Sequence, residues 1–567
     1  MFPALALFGL ASATPTELLQ QPTELLQQLI SRQSVLFNVS ISAGATLGDG
    51  TTFAAAAGLD DHMTGSKVST SSLYPSGSVT KLFTSTAAMR LVEQGVFTLD
   101  TPFHTIVDPW LKAQGKQTMK DIWGGDATIE SVTVSELLQM RGGLGDYDDF
   151  ATKAWQIAHP TTDITPDIYV ANVTKRFLFP PGQGGSYTGI GYVLLGWVLC
   201  AASDGCHTWS DLDQMALVTT PSYDPKGLTT FMKMGVCSQY KGVVHQYAYF
   251  PQEKAFELDL AASEGGDAPA ATMRQIAELT PMRITTASSS PTAALPKHCT
   301  DPSLRPGGQP LWYKNTQITG ASIGEKNVSS GGAEACCGLA DTTPGAYLWS
   351  FIPSSGAGGT CRFFEGRGVK GSHKPGVTSG RVDPPLRESD FVDLYDDSCL
   401  NGWTMGNIAT TPSEVTKFYH ALFTEKIVSA ESIKQMTTWK PLTTGFARGA
   451  PYGFALFLQQ VKLPLDGVKR CNGLPYCKCS LFRGCEFQVD AVGHPGLDWG
   501  SGMPNVGLLV DLNISYAMAS NTGENTMGMN TSIGVMENYG VLNDIYCDFF
   551  DILVHAQVPS YPKFKCH

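Results

Sequence analysis

Apolar positions along the chain fall into a few recognisable periods. Between residues 78 and 94, Val79, Leu82, Phe83, Met89, Leu91 and Val92 recur at helical steps and Gly95 follows, which predicts a helix with a glycine stop. Residues 412–422, opening on Pro412 and Ser413, predict another helix. The short apolar runs 506–511 and 514–519 predict two strands around a tight turn. Alternation over 35–57, starting at Val35 and Phe37, predicts strands. The best candidate for a membrane span, Gly191 to Ala202, has only 12 residues. A bilayer span needs about 20, so this segment predicts a buried helix.

Two further stretches set the organisation. Residues 15–21 and 22–28 are tandem copies of one heptad, which predicts a duplicated leader helix, since two copies do not make a solenoid. Residues 252–395 have few periodic runs, two loop-like tracts (287–294 and 354–359) and four cysteines, Cys299, Cys336, Cys337 and Cys361. They predict a large, irregular, disulfide-stapled insertion or a small extra domain. The expected divisions are a signal segment over 1–13, a leader over 14–34, one domain split between 35–251 and 396–567, and the insertion between its halves.

Composition narrows the class of protein. The chain has 567 residues, 43% of them hydrophobic, enough for a large core. Its 39 basic and 51 acidic residues leave a net charge of −12, with no dense Lys/Arg run, so nucleic acid is excluded as the expected partner. Residues 1–13 form a short apolar core ending in an A-x-A pattern at Ala11 and Ala13, although no Lys or Arg precedes it. This predicts a secretory signal cleaved after Ala13. Fourteen cysteines and five N-x-S/T sites, at Asn38, Asn172, Asn327, Asn513 and Asn530, point the same way. The expected location is extracellular, with the lumen of the secretory or vacuolar pathway as the alternative. Cys471, Cys477, Cys479 and Cys485 have a spacing unlike common zinc motifs, so disulfides are expected there, and the vicinal Cys336 and Cys337 are expected to bond elsewhere. The histidines lack metal-binding spacing, and no metal is expected.

The chemistry starts at Ser78 and Lys81, three apart at a predicted helix start. Positions i and i+3 share a helix face, so the lysine reaches the serine oxygen. A serine hydroxyl needs such a neighbour to act as a nucleophile, and a helix N-terminus suits a developing oxyanion. Three further stretches follow in order: Val134 to Tyr147, Phe179 to Gly196 with Tyr187-Thr188-Gly189 inside it, and Val492 to Gly500 with His494-Pro495-Gly496. With this order of motifs, the chain resembles the serine β-lactamase, penicillin-binding protein and related esterase family, on the branch with class C β-lactamases and D-aminopeptidases. The resemblance covers about residues 35–250 and 396–555. It implies an α+β, β-lactamase/transpeptidase-like fold: an antiparallel sheet flanked by helices, plus a helical subdomain. It further implies Ser78 as nucleophile, Lys81 as its activating partner, Tyr187 as the second-motif tyrosine and His494 as the first residue of the strand motif. The oxyanion hole would be the backbone N–H groups of Ser78 and Leu497, with Gly496 allowing close approach of substrate. A lysine cation beside Tyr187 is expected to favour its phenolate; whether Lys81 or Tyr187 removes the serine proton stays open. Asp146 and Tyr147 are expected to shape a loop near the site.

Two departures bear on substrate. Relatives usually carry Tyr-x-Asn in the second motif, where this chain has Gly189, a position that otherwise helps bind substrate. The third motif has Pro495 where carboxylate-binding relatives have threonine. Both changes remove polar recognition, which favours an ester or a peptide-like amide over a β-lactam. A small-molecule or peptide-like substrate, no cofactor and no membrane span are expected. The rival reading is an inactive descendant that binds a ligand or partner. Two decoys are discounted: Gly320 to Gly324 matches a G-x-S-x-G elbow between polar flanks, and Lys374-Pro375-Gly376 mimics the third motif inside the insertion with no predicted strand around it.

Overall fold

The computed structural model describes residues 15–37, 39–147, 152, 156, 159–225, 228–249, 312–319, 322, 324–341, 343, 346, 348–354, 358–364, 370–381, 391–445, 447–480, 484–498, 500–522 and 545–566. The expected signal segment, the sequons at Asn38 and Asn530, and residues 252–311 of the insertion lie outside these.

The tandem heptads form part of one helix, α1 (Pro15–Phe37), which runs on through Val35, where alternation predicts a strand. Its buried residues Leu26, Leu29, Ile30, Gln33 and Ser34 keep three- and four-residue spacing. Gln27 donates to the Ala56 carbonyl at 3.0 Å and Arg32 pairs with Asp548 at 3.0 Å, so the helix is docked at both ends of the chain. A short apolar run has no period of its own, and the packed turns before it carry the helix through 35–37.

Strands β1 (Ile41–Thr46) and β2 (Thr52–Ala57) then pair as a hairpin. They join β3 (Phe457–Pro464), β4 (Gly484–Gly493), β5 (Gly496–Leu497), β6 (Gly502–Leu509) and β7 (Ile514–Ser520) in one sheet. Among the described residues it has ten strands. Its order runs from Lys440–Pro441 through Pro451–Tyr452 to β3, β4, β6, β7, β1 and β2, with β5 on β6 and Cys477–Ser480 on β4. Every pairing in it is antiparallel, and β1 sits between β2 and β7, with Ile41 opposite Ser520. The predicted strands at 506–519 are β6 and β7, with Asn513 in the left-handed region at the turn.

Both faces of this sheet are covered at its centre, so β1, β6 and β7 are buried throughout instead of alternating. Ile41, Ala43, Ala45, Ile514 and Met518 pack with α1 and the C-terminal helix. Ala517, Ala519, Val506 and Leu508 face a larger core shared with the helices. Helix α2 (Thr80–Glu93), helix α3 (Ile190–Ala201) and helix α4 (Pro412–Phe423) belong to that core. Gly44 marks the contact of α4 with β1, since a Cβ there would lie 2.9 Å from the Ser413 nitrogen. Helix α3 is apolar all round and buried from Ile190 to Cys200, as its sequence predicts. No described helix is long and apolar enough to cross a membrane. The result is the β-lactamase/transpeptidase-like α+β fold.

The 252–395 stretch is more regular than an irregular insertion, the first of the two readings. Its described part holds a five-stranded antiparallel sheet, ordered 312–319, 370–381, 348–353, 359–364, 324–328, with helix Gly332–Asp341 against it. Strands such as Gly324–Val328 are largely exposed, so alternation is weak in the sequence; Trp349, Phe363 and the Cys336–Cys361 bond supply a small core instead. Lys374–Gly376 does lie in a strand there, at a register break between His373 and Thr378. It belongs to this separate sheet. Ser322, the serine of the discounted elbow, is followed by a strand and not by a helix. The cysteine quartet forms Cys471–Cys477 and Cys479–Cys485, and Cys336 bypasses its neighbour, as expected. Further bonds join Cys200–Cys206, Cys237–Cys399 and Cys547–Cys566.

Candidate active site

Ser78 stands in a single 3-10 turn, Gly77–Val79, that leads into α2. The approach to the turn is pinned: Ser76 donates through its N–H and Oγ to the Ile408 carbonyl at 2.8 and 2.7 Å, and Ser501 Oγ donates to the Pro75 carbonyl at 2.6 Å. Two glycines let this turn lie directly on β5. Gly77 has φ +52, and a Cβ on it would lie 2.2 Å from the Leu497 carbonyl oxygen; one on Gly496 would lie 1.8 Å from that of Ser76. The backbone segments carrying Ser78 and Leu497 therefore meet, although 419 residues of sequence separate them.

Lys81 lies in the first turn of α2, only 2% exposed. Its Nζ donates to Ser78 Oγ at 2.8 Å and to the Met405 carbonyl at 3.0 Å. The rings of Tyr187 and Tyr192 stand 5.3 and 5.8 Å from it. The spacing argument for Ser78 and Lys81 is thus met in the fold. The Met405 carbonyl is a partner that sequence reasoning misses, because every residue carries a carbonyl and only the fold selects this one.

Tyr187 enters from the loop before α3, hydrogen-bonds with Ser78, and points its hydroxyl at His494 Nε2 at 3.4 Å. Its ring packs with Tyr452, Phe457 and His494. His494 follows β4 and is buried; its backbone N–H donates to the Tyr419 hydroxyl of α4 at 3.0 Å. Its Nδ1 lies 2.8 Å from the Pro495 carbonyl. A carbonyl only accepts, so Nδ1 carries the proton and Nε2 is left to accept from Tyr187. Ser78, Lys81, Tyr187 and His494 are therefore brought together.

The electrostatics reverse one expectation. Burial holds the Tyr187 phenol above its usual range, and Asp146 pushes it further; the Ser78 hydrogen bond pulls it down only in part. Lys81 is the group that yields, lowered to about 7 by burial, with Asp146 opposing. His494 is lowered to about 3 by burial and by the Lys81 charge, so it is neutral at pH 7. A lysine cation favours a nearby phenolate only while it stays charged, and in a dry pocket the cation is itself disfavoured. At Gly189, the N–H is taken by Asp146 at 2.8 Å, and a Cβ would lie 2.4 Å from Met405 Sδ, so a side chain there would require Met405 to move.

Residues 38–213 match the β-lactamase family model. No curated protein matches the chain. Among solved structures, it is similar to D-amino acid amidase from Ochrobactrum anthropi SV3 complexed with L-phenylalanine amide, at 14% identity over 95% of this chain and 99% of that one, TM-score 0.49. It is similar also to a D-stereospecific amidohydrolase from Streptomyces sp., at 13% identity over 91% and 98%, TM-score 0.47. An octameric penicillin-binding protein homologue from Pyrococcus abyssi aligns at 16% identity over 94% and 80%, TM-score 0.43.

Proposed function

We propose that the chain, whose residues 38–213 match the β-lactamase family model, belongs to the serine β-lactamase and penicillin-binding-protein-like family and is a secreted serine hydrolase that works through an acyl-enzyme at Ser78. The observation that carries this reading is the 2.8 Å hydrogen bond from a buried, low-pKa lysine to the serine oxygen at the mouth of α2. Lys81, neutral in a large fraction of molecules near pH 7, takes the Ser78 proton as Oγ attacks the carbonyl carbon. The negative charge that develops on the carbonyl oxygen is met by the N–H groups of Ser78 and Leu497. Donors of this kind are worth about 3–4 kcal/mol each. Tyr187 stays a phenol, oriented by His494, and relays the proton held on Lys81 to the leaving oxygen or nitrogen. Water then attacks the acyl-enzyme by the same route in reverse, releasing the acid and free Ser78.

Substrate preference follows from what the walls lack. The Gly189 position is filled by the Met405 side chain, and Pro495 brings neither hydroxyl nor N–H. With these polar contacts gone, an ester or a peptide-like amide is the proposed substrate, ahead of a β-lactam. Labelling with a fluorophosphonate followed by peptide mapping is expected to modify Ser78 and to fail in Ser78→Ala. Folded wild-type protein that takes no label overturns the reading. Offered p-nitrophenyl esters and nitrocefin side by side, the enzyme is expected to turn over the esters faster; a strong nitrocefin preference reverses the substrate assignment.

A further inference from the structure

One acidic side chain sits in the wall of this site without a part in the chemistry above. Asp146 is half-buried, and its carboxylate turns inward: Oδ2 accepts the Gly189 N–H at 2.8 Å and Oδ1 the Ile190 N–H at 3.2 Å. These N–H groups open α3, whose N-terminal residue Gly189 has no side chain to cap its own helix. The cap is supplied from 43 residues upstream. Gly189 lies two residues beyond Tyr187, so this grip holds the backbone that carries the phenol. Met405 Sδ and Tyr147 Cε1, 2.4 and 3.1 Å from where a Gly189 Cβ would stand, close the space from the other side. Met405 in turn offers Lys81 its carbonyl.

We infer that Asp146 is a positioning residue for proton transfer: it clamps the Tyr187–Gly189 turn through the Gly189 N–H, and it supplies a negative charge in the wall of the site that favours the Lys81 ammonium. The inference rests on the reading of Ser78 as nucleophile and Lys81 as base. Burial raises Asp146 to about 6 and lowers Lys81 to about 7, and each group pulls the other back towards its charged form. The other titratable groups around Lys81 are Tyr187, Tyr192, Tyr452 behind them, and His494. Burial keeps the three phenols protonated and His494 neutral near pH 7, so none of them offsets a lysine cation. A carboxylate in the wall of the site favours the Lys81 ammonium, so losing that charge lets Lys81 shed its proton at lower pH.

The test compares the pH dependence of ester hydrolysis in wild type, Asp146→Asn and Asp146→Ser. Asparagine keeps an acceptor at the same reach without the charge, and serine, one atom shorter, withdraws the acceptor along with the charge. Both variants are expected to fold, to move the acid limb of kcat/KM down by roughly one pH unit, and to lower kcat several-fold with KM little changed. Folded variants with an unmoved acid limb overturn the inference. Loss of folded protein in both also counts against it and assigns the residue to stability alone. In every variant the fluorophosphonate mark on Ser78 is read in parallel. An unlabelled wild type sinks the hydrolase reading, whereas labelled protein with an unshifted limb sinks only this one.

Discussion

An ammonium sealed from water loses its hydration, and the cost appears as a lowered pKa. Lys81 pays it beside Ser78, and the consequences are measurable in two ways. With Lys81 as the proposed base, which must be neutral to act, kcat/KM of the wild type is expected to rise through an acid limb centred near pH 7. A limb below pH 5.5 would remove Lys81 from that role. The same burial weakens the fold. Between the folded value of about 7 and the ordinary 10.5, the unfolded chain binds the extra proton, so this contribution makes stability rise with pH. Below pH 7 the penalty is complete. Lys81→Met is therefore expected to abolish hydrolysis yet raise Tm, most at pH 6 and progressively less towards pH 10.5, as scanning calorimetry across that range would register. A Tm that falls at pH 6 contradicts the assignment.

Between elements, the same lysine depends on how α3 meets the 403–405 segment. A Cβ on Gly196 of α3 would lie 2.3 Å from both Thr404 Oγ1 and Trp403 Cζ3. Thr404 Oγ1 donates to the Tyr192 carbonyl at 2.8 Å, and Thr84 Oγ1 of α2 donates to the Thr404 carbonyl at 2.6 Å. Trp403 holds φ +45, a strained value for a bulky residue, within this lock. The next carbonyl, that of Met405, is the one Lys81 uses. Gly196→Ala is expected to cost about 1–3 kcal/mol in urea unfolding through overpacking and to reduce kcat more than it changes KM. A variant with altered stability but unchanged kcat would separate this packing from the chemistry.

Across the whole molecule, the Cys237–Cys399 bond spans 162 residues and closes the base of the inserted sheet, beside the pairing of Tyr247–Tyr249 with Phe391–Asp393. Cross-linking so long a loop restricts the unfolded chain strongly, and replacing both cysteines by serine is expected to cost about 2–5 kcal/mol in denaturant unfolding. A loss under about 1 kcal/mol would show that the base is held without the bond. Much of the architecture was legible in the sequence, because helical period, turn residues and the three-residue step from Ser78 to Lys81 are written within a few positions of each other. Helices α2, α3 and α4 and the β6–β7 pair were readable in this way, and the motif order extended it to Tyr187 and His494. Other features waited for the fold: the pairing of Ile41 with Ser520, the order of the weakly patterned sheet over 312–381, the Met405 carbonyl at Lys81, and Asp146 as a remote cap. Only the tertiary structure decided which of Lys81 and Tyr187 has its proton loosened. That depends on desolvation, and water is excluded by neighbours gathered from distant parts of the chain, which no local spacing records.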